Sequence, residues 1–405
     1  MTEVAVLGYG TVGSGVVEVL ERNAAVIEHT AGDALHVKYV LDIRDFPGDP
    51  IQERITHDFN QILDDPDIKV IAEVMGGVEP AYSFTKQALE KGKSVCTSNK
   101  ELVARYGSEL LSLARDKGVN YLFEASCGGG IPIIAAINQS LIANEIDEIT
   151  GILNGTTNYI LSEMAESGSA FEDALADAQE KGYAERNPEA DVEGHDACRK
   201  LAILSSLCFG KRVNYEDIYT EGITAVTHAD ILYAKELGMA VKLLASGWTV
   251  PEGDTKRFYA LVAPFLVSPE NPLFSVNGVF NAVFVHGNML GDAMFYGSGA
   301  GKLPTASAVA GDMIEAVRRA GETIMTFDST ELLPITAIEN ESRRFFVRIP
   351  KEREEAAEKA FGEIKIVTVP ELSGETGFVT EEMTEKAFEE CAEKAGGIIS
   401  RIRIK

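Results

Sequence analysis

Lys200 has the surroundings that best suit a residue that transfers a proton. It lies in an almost wholly apolar run over residues 197–209, and Asp196 precedes it by four positions. In a helix these two residues share one face, one turn apart. Burial among apolar side chains disfavours the charged form of a lysine, which makes it a suitable general acid. Taken alone, the same spacing is also typical of an ordinary ion pair on a helix surface.

The segment around Lys200 supplies several carboxylates. Residues 182–200 begin at Gly182, a residue type that commonly ends a helix. Asp191 is predicted to be the N-cap of the helix that carries Lys200, and Glu193 adds negative charge at the positive end of that helix. Acidic groups so close to one lysine predict that residues 182–200 form the centre of an active site.

Upstream of this segment, the sequence Asn154-Gly-Thr-Thr-Asn158 predicts the start of another helix. Asn154, Thr156 and Thr157 can each cap it. Free amides at such a helix start could also receive a substrate carboxylate, although capping alone explains the composition nearly as well. Thr156 is therefore a candidate substrate-binding residue. Asp191, in the acidic segment around Lys200, is another.

The N-terminal segment predicts a dinucleotide-binding fold. An apolar strand over residues 3–8 leads into Gly8-Tyr-Gly10-Thr11-Val12-Gly13 and then into a helix over residues 16–23. Glycines in this setting let the backbone approach a pyrophosphate, and the helix N-terminus supplies amides and its dipole. The candidate cofactor-binding residues of this loop are Gly8, Gly10, Thr11, Val12 and Gly13.

Later strands of the same region point to one ligand-binding edge. Strands alternate with helices as far as residue 123, which predicts a Rossmann-type doubly wound parallel sheet. Ser98 and Lys100 follow a strand over residues 94–97, at the sheet edge where ligands bind. After the second strand, Asp42 or Asp45 could bind ribose hydroxyls, whereas Arg44 could pair with a 2′-phosphate. These residues leave the choice between NAD and NADP open.

Two glycine-rich segments follow. The glycines at 128–130 suggest a flexible hinge, or alternatively carbonyls that hold a hard cation beside the carboxylate of Glu124. Around Gly299 and Gly301, small residues allow close approach of the backbone to a ligand. The helix that comes next is predicted to return to the first domain.

The predicted domain organisation has four parts. Residues 1–131, together with a return helix at about 305–322, form the NAD(P)-binding domain. Residues 132–304 form an α+β domain for substrate binding, catalysis and dimerisation. A linker covers residues 323–342, and residues 343–405 follow the βαββαβ order of a small ferredoxin-like module.

Composition excludes several classes of partner. The net charge of −26 argues against binding to nucleic acid or to an anionic membrane. No apolar run is long enough to span a bilayer, and the chain begins with a strand where a signal peptide would stand. The five cysteines show no CxxC spacing and are odd in number. We therefore expect reduced thiols and a cytoplasmic location.

From the first glycine loop to about residue 320, the sequence resembles the homoserine dehydrogenase family. The resemblance rests on segments that occur in the family's order, at residues 8–13, 73–77, 97–100, 124–132, 154–158, 182–200 and 299–307. It implies NAD(P)-dependent interconversion of L-aspartate 4-semialdehyde and L-homoserine, on the route to threonine, methionine and isoleucine. It also implies a homodimer.

The resemblance implies roles for individual residues. Lys200 matches the proton donor, and Lys100 matches a second essential lysine where cofactor and substrate meet. Glu185 and Asp196 match the carboxylates that hold the substrate. Gly182 and one glycine of the pair Gly299 and Gly301 match cofactor contacts. For the glycines at 128–130, the resemblance implies a cation site and not a hinge. The monovalent cation (Na⁺ or K⁺) would be held by Glu124 and the carbonyls of Cys127, Gly129 and Ile131.

The C-terminal module resembles the ACT domain that follows many of these enzymes, which implies an amino-acid effector. The turn after its first strand, residues 350–354, lacks the glycine usual in amino-acid-binding versions. Two alternatives to the main interpretation stay open. One is a Rossmann dehydrogenase for another small amino acid, and the other is a non-catalytic sensor of amino acids or nucleotides.

Overall fold

The computed structural model describes residues 1–325, 327 and 329–405; residues 326 and 328, within the predicted linker, lie outside the described residues. The strands are β1 Thr2–Leu7, β2 Leu35–Leu41, β3 Ile55–Thr56, β4 Ile68–Glu73, β5 Ser94–Thr97, β6 Tyr121–Leu122, β7 Ile146–Ile152, β8 Tyr219–Thr220, β9 Ala240–Glu252, β10 Thr255–Val267, β11 Phe280–Gly287, β12 Gly291–Ser298, β13 Ser342–Arg343, β14 Phe345–Pro350, β15 Ile364–Val367, β16 Glu375–Thr380, β17 Met383–Thr384 and β18 Ser400–Ile404.

The helices connect these strands in an alternating pattern over the first third of the chain. They are α1 Thr11–Arg22, α2 Ala24–Ala31, α3 Phe59–Leu63, α4 Ala81–Glu90, α5 Lys100–Lys117, α6 Ile133–Ala135, α7 Gly155–Ser167, α8 Phe171–Glu180, α9 Glu189–Val192, α10 His195–Phe209, α11 His228–Glu236, α12 Lys302–Arg318, α13 Glu354–Phe361 and α14 Glu385–Ala395. Among the described residues, none of these helices combines the length and the apolar character that a bilayer span needs.

The chain divides into two compact units. The first comprises Met1–Asp147, Arg199–Glu216 and His286–Leu333, and the second comprises Glu148–Cys198, Asp217–Val285 and Pro334–Lys405. Helix α10 begins in the second unit and continues into the first. The functional residues proposed from the sequence are therefore distributed over both units.

The first unit contains a parallel sheet in the strand order β3-β2-β1-β4-β5-β6. All of its neighbouring strands run parallel. Val4, Ala5 and Val6 of β1 are fully buried, as expected for a central strand that is covered on both faces. The strand order reverses between β1 and β4, which is where such sheets bind dinucleotides. The predicted Rossmann-type sheet is confirmed.

Helix α12 packs closely against α1 within this unit. A Cβ atom added to Gly15 would lie 2.9 Å from the Cβ of Ala306 and 3.0 Å from the carbonyl oxygen of Lys302. Glycine is thus required where the two helices meet. At the edge of the contact, Lys302 pairs with Glu18 at 2.8 Å. The close packing places the start of α12 beside the first glycine loop of the same unit.

The second unit is organised around a mixed sheet in which β11, β7, β9, β10, β18, β14, β16 and β15 are neighbours in that order. Its C-terminal part comprises β13, β14, α13, β15, β16, β17, α14 and β18 in chain order, and β18 joins the sheet by pairing in parallel with β10. Phe345, Phe378 and Phe388 fill the core between this part of the sheet and its two helices. The predicted α+β organisation of the chain beyond the Rossmann sheet is confirmed.

Candidate functional site

The glycine loop after β1 has the geometry that a bound dinucleotide requires. A Cβ atom on Gly13 would lie 1.9 Å from the carbonyl oxygen of Gly8, so the turn closes only with glycine at that position. Gly8 itself has a φ of +98°, which also favours glycine. Gly10 is the N-cap of α1, and a Cβ there would have nothing within 4 Å. The open space beside Gly10, at a helix N-terminus, fits a pyrophosphate group.

At the end of β2, Asp42 and Arg44 form one hydrogen-bonded unit. The Asp42 carboxylate accepts hydrogen bonds from Arg44 Nε at 2.9 Å, Arg44 Nη2 at 2.9 Å and the Tyr9 amide at 2.8 Å. These bonds hold the pKa of Asp42 well below its usual range, and the bond from the Arg44 guanidinium has the largest effect. Arg44 is more than half exposed and lies 5.1 Å from the ring of Phe46. Its guanidinium is therefore held at the ligand edge of the sheet but stays accessible.

A buried hydrogen-bond network links the ends of β4 and β5. Glu73 and Thr97 are direct partners across these strands, and both are fully buried. Glu73 accepts hydrogen bonds from the Thr97 hydroxyl at 2.6 Å and from the Met75 amide at 2.8 Å. Thr97 Oγ1 accepts one from the Asn99 amide at 2.9 Å, and Asn99 Nδ2 donates to the Gly77 carbonyl at 2.6 Å. The network thereby fixes both loops at this edge.

Asn99 also determines where Lys100 lies. Its Oδ1 accepts a hydrogen bond from the Leu102 amide at 3.1 Å and so caps α5, whose first residue is Lys100. The predicted candidates Ser98 and Lys100 flank this asparagine, and both are half-buried. The sequence analysis did not propose Glu73 as a site residue, although an acidic residue at the end of a mainly apolar strand is a signal that could have revealed it.

Burial raises the pKa of Glu73 to about 7, against the effect of its two hydrogen bonds. Because the folded-state pKa lies above the ordinary value of 4.5, Glu73 contributes stability that is complete below about pH 4.5 and is lost as pH rises through about 7. Glutamine at position 73 does not ionise, so the stability of Glu73→Gln lacks this dependence on pH. Raising the pH from about 5.5 to about 8 should therefore destabilise the wild type by about 2 kcal/mol more than the variant. Urea unfolding at both pH values measures this difference, and an identical pH dependence in the two proteins would contradict it.

The helix that carries Lys200 is confirmed as α10, but Asp191 is not its N-cap. Asp191 lies inside the preceding helix α9, and α10 begins at His195. The prediction was wrong because Gly194, with a φ of +80°, separates the two helices. Lys200 is 8% exposed and Asp196 is 2% exposed. Burial of both side chains excludes an ordinary surface ion pair.

In the second unit, Asn154 lies between two of the predicted carboxylates. Its Nδ2 donates to Asp191 Oδ1 at 2.7 Å and to Asp196 Oδ2 at 2.9 Å. Its Oδ1 accepts a hydrogen bond from the Thr157 amide at 2.8 Å and caps α7. Asn154 therefore holds the carboxylates of Asp191 and Asp196 close together, in addition to capping α7.

The remaining candidates of this unit lie on or beside the loop after α8. Thr156 donates its hydroxyl proton to the Tyr183 carbonyl at 2.6 Å, so it ties α7 to that loop. Gly182 has a φ of +76° and open space around its Cα. Glu185 is exposed, and its carbonyl accepts a hydrogen bond from Gln179 at 3.0 Å. The loop thus presents Glu185 to solvent from a fixed backbone.

The predicted cation-binding segment is a packed turn. The buried carboxylate of Glu124 accepts hydrogen bonds from the amides of Ile134 at 2.8 Å and Ala135 at 2.6 Å, and burial raises its pKa to about 7. Gly129 has a φ of +56°, and a Cβ there would lie 2.6 Å from the Gly299 carbonyl. The two glycine-rich segments therefore pack backbone against backbone. Within the described part of the chain, no group of three or more His, Cys, Asp or Glu side chains is arranged to hold a metal ion.

Three further candidates of the first unit are Cys127, Ile131 and Gly301. Cys127 is buried, and its Sγ lies 3.8 Å from the carbonyl oxygen of Lys200. The Ile131 carbonyl accepts a hydrogen bond from the Ile133 amide at 2.9 Å. Gly301 has a φ of +117° and is the residue from which α12 starts. The first unit thus gathers Cys127, Ile131 and Gly301 in turns whose backbone is tightly constrained.

Comparison with known proteins places these features in one family. The family model of homoserine dehydrogenase matches residues 132–314, and that of the homoserine dehydrogenase NAD binding domain matches residues 8–124. A homoserine dehydrogenase of Synechocystis sp. is 47% identical over 318 residues, which are 78% of this chain and 73% of that relative.

Solved structures agree. The homoserine dehydrogenase of Thiobacillus denitrificans is similar with a TM-score of 0.91 and 35% identity, over 100% of this chain and 98% of that one. A hyperthermophilic archaeal homoserine dehydrogenase in complex with NADPH gives a TM-score of 0.66 and 28% identity, over 78% of this chain and 97% of that one. By its sequence and its fold, the chain belongs to the homoserine dehydrogenase family.

Proposed function

We propose that this chain interconverts L-aspartate 4-semialdehyde and L-homoserine with NAD(P)(H), and that Lys200 is the proton donor. The observation that carries the assignment is the burial of Lys200 together with Asp196, one turn apart on α10. A buried lysine beside a carboxylate is poised to give up a proton when negative charge develops on a substrate oxygen. Family membership makes the chain an NAD(P)-dependent oxidoreductase.

Each of the proposed residues has its own role in this reaction. When bound, the nicotinamide supplies or accepts the hydride. Lys200 donates a proton to the oxygen of the semialdehyde as it becomes an alcohol, and Lys100 adds positive charge that stabilises the alkoxide. Asp196, Asp191 and Glu185 attract the ammonium group of the amino-acid substrate. Thr156 holds the loop that carries Glu185.

The glycine-loop residues Gly8, Gly10, Thr11, Val12 and Gly13 would hold the pyrophosphate. Ser98, Gly182, Gly299 and Gly301 are proposed as further cofactor contacts, and Lys100 as a contact to both cofactor and substrate. Support comes from the open space at Gly10 and from the positive φ of Gly182 and Gly301. These contacts are made mainly by backbone, which suits a cofactor whose phosphates need amide donors.

The absorbance of reduced nicotinamide tests the reaction. Incubation of the protein with L-homoserine and either NADP or NAD should increase this absorbance, whereas L-serine and L-threonine should give little change. Turnover of one of those amino acids in place of L-homoserine would favour a dehydrogenase with another substrate. Cofactor binding without turnover of any of them would favour the sensor.

We propose that Arg44 favours NADP over NAD. Its accessible guanidinium can pair with a 2′-phosphate, while the Asp42 carboxylate is already engaged by Arg44 and the Tyr9 amide. In Arg44→Ala, the ratio of kcat/KM for NADP to that for NAD should fall by about tenfold or more, which corresponds to about 1.4 kcal/mol. Arg22→Ala is the control. It removes an exposed arginine from the C-terminal end of α1, and the ratio should stay at that of the wild type. An unchanged ratio in Arg44→Ala would remove Arg44 from the site.

We further propose that a monovalent cation, Na⁺ or K⁺, binds beside Glu124 and the carbonyls of Cys127, Gly129 and Ile131. The buried carboxylate of Glu124 supports this, because a nearby cation would offset its burial. The melting temperature should be higher in NaCl or KCl than in choline chloride of equal ionic strength. Equal melting temperatures in all three salts would contradict the site.

An amino-acid effector is proposed for the second unit. A cavity of about 710 Å³ is lined there by apolar and charged side chains, among them Ile335, Lys386, Arg401 and Arg403. Calorimetric titration with L-threonine tests this proposal, and the absence of a binding signal would contradict it for that amino acid. A cytoplasmic homodimer is also proposed, and a monomer mass in light scattering would overturn the dimer.

A further inference from the structure

The Asn154 side chain donates hydrogen bonds to both Asp191 and Asp196. The two bonds, at 2.7 Å and 2.9 Å, leave from the same Nδ2 atom. Asn154 is 5% exposed and Asp196 is 2% exposed, so the bridge is largely withdrawn from water. Hydrogen bonds in such surroundings are stronger than exposed ones.

The chemistry of the carboxamide explains why this residue suits the position. Two carboxylates that contact one nitrogen lie close enough to repel each other, and the repulsion increases where the effective dielectric constant is low. The two N–H groups of Asn154 give each carboxylate a donor without adding charge. The bridge therefore holds the two carboxylates together and adds no charge of its own.

The other end of the side chain has a separate task. Oδ1 accepts the Thr157 amide at 2.8 Å and caps α7, which places the amide group rigidly. Asn154 thus joins the start of α7 to α9 and to the first turn of α10. These three elements carry Thr156, Asp191 and Asp196, which are all candidate substrate residues.

We propose that Asn154 is a positioning residue that sets the spacing of Asp191 and Asp196 so that they receive the substrate ammonium group. The inference rests on the proposed function, and it adds a specificity role for a residue that does not itself carry charge. Loss of the bridge should weaken binding of the amino-acid substrate and leave the cofactor site as it is.

The Asn154→Asp variant removes the hydrogen bonds to Asp191 and Asp196 while it keeps the cap of α7. Aspartate has nearly the same shape and is an equally good N-cap, so α7 keeps its cap. It cannot donate, however, and it places a third carboxylate against Asp191 and Asp196. We expect the KM for L-homoserine to rise by about tenfold or more, the KM for the cofactor to stay the same, and kcat to change by less than about threefold.

Two further variants keep the test decisive. Asn154→Ser retains a capping oxygen but is too short to reach both carboxylates, so its KM for L-homoserine should rise as well, even if the aspartate variant folds poorly. Asn271→Asp is the matched control, because Asn271 also caps a helical turn of this unit, through the Leu273 amide at 2.9 Å. Its KM values should stay at those of the wild type.

The outcomes separate the two proposals. Wild-type protein that does not oxidise L-homoserine overturns the proposed function. Wild-type activity together with an unchanged KM for L-homoserine in Asn154→Asp and Asn154→Ser overturns the positioning role alone. A parallel rise of the KM values for both cofactor and substrate also overturns it, because that pattern indicates a general structural defect.

Discussion

Replacing Lys200 with alanine is expected to lower kcat by about three orders of magnitude, within the range that general acids contribute. The reason is that the alkoxide formed from the semialdehyde loses its proton donor in a site where Lys200 is only 8% exposed. Lys200→Met should behave in the same way, since it fills the space of the side chain but carries no proton. Single-turnover measurements of nicotinamide absorbance give the rate.

Binding of NADP(H), followed by fluorescence titration, should be unchanged in both Lys200 variants, because the glycine loop is distant in sequence and is intact. Lys211→Ala is the control; this exposed lysine follows α10 and pairs with Glu331 at 2.6 Å. Its kcat should equal that of the wild type. A Lys200→Ala protein that turns over within about threefold of wild type would falsify the assignment of the proton donor.

The second large effect is expected at Gly13. In Gly13→Ala the new methyl group would meet the Gly8 carbonyl oxygen at 1.9 Å, so the turn between β1 and α1 must open. Because that turn aligns the amides for the pyrophosphate, cofactor affinity should fall by about a hundredfold or more, and the melting temperature should fall as well. Calorimetric titration with NADP, together with a thermal melt, measures both quantities.

Gly10→Ala gives the complementary result. A Cβ there has nothing within 4 Å and the φ is −88°, so the fold should tolerate alanine without loss of melting temperature. The methyl group would instead occupy the space proposed for the pyrophosphate, and affinity for NADP should still fall. If Gly13→Ala bound NADP as tightly as the wild type, or if Gly10→Ala lost stability but not affinity, the proposed cofactor site would be wrong.

The parts of the fold that the sequence predicts are those that depend on local pattern. The strand–glycine loop–helix sequence at residues 2–22 is specified by residues close together in the chain, and the parallel sheet follows from the alternation of strands and helices. Asp191 shows where local reasoning fails, because it lies inside α9 and Gly194, in a left-handed conformation, separates that helix from α10. Its carboxylate accepts a hydrogen bond from Asn154.

The contacts that hold the site depend on long-range pairing. Glu73 meets Thr97 because β4 and β5 align in a register that puts these two residues directly opposite each other. Asn154 meets Asp191 and Asp196 across 37 and 42 residues. Neither spacing matches a motif, since both depend on how strands and helices pack. The candidate catalytic residues were proposed from the sequence alone, whereas the hydrogen bonds of Glu73 and Asn154 became visible only in the structure.

Transfer of deuterium from L-homoserine to the cofactor tests the central claim most directly. L-homoserine that carries two deuterium atoms on its alcohol carbon would be incubated with the protein and NADP, and the reduced cofactor would be analysed by mass spectrometry. Direct transfer between substrate and nicotinamide predicts one deuterium atom in each molecule of reduced cofactor. Unlabelled reduced cofactor, or none in the presence of folded protein, would contradict the assignment of this chain as a homoserine dehydrogenase.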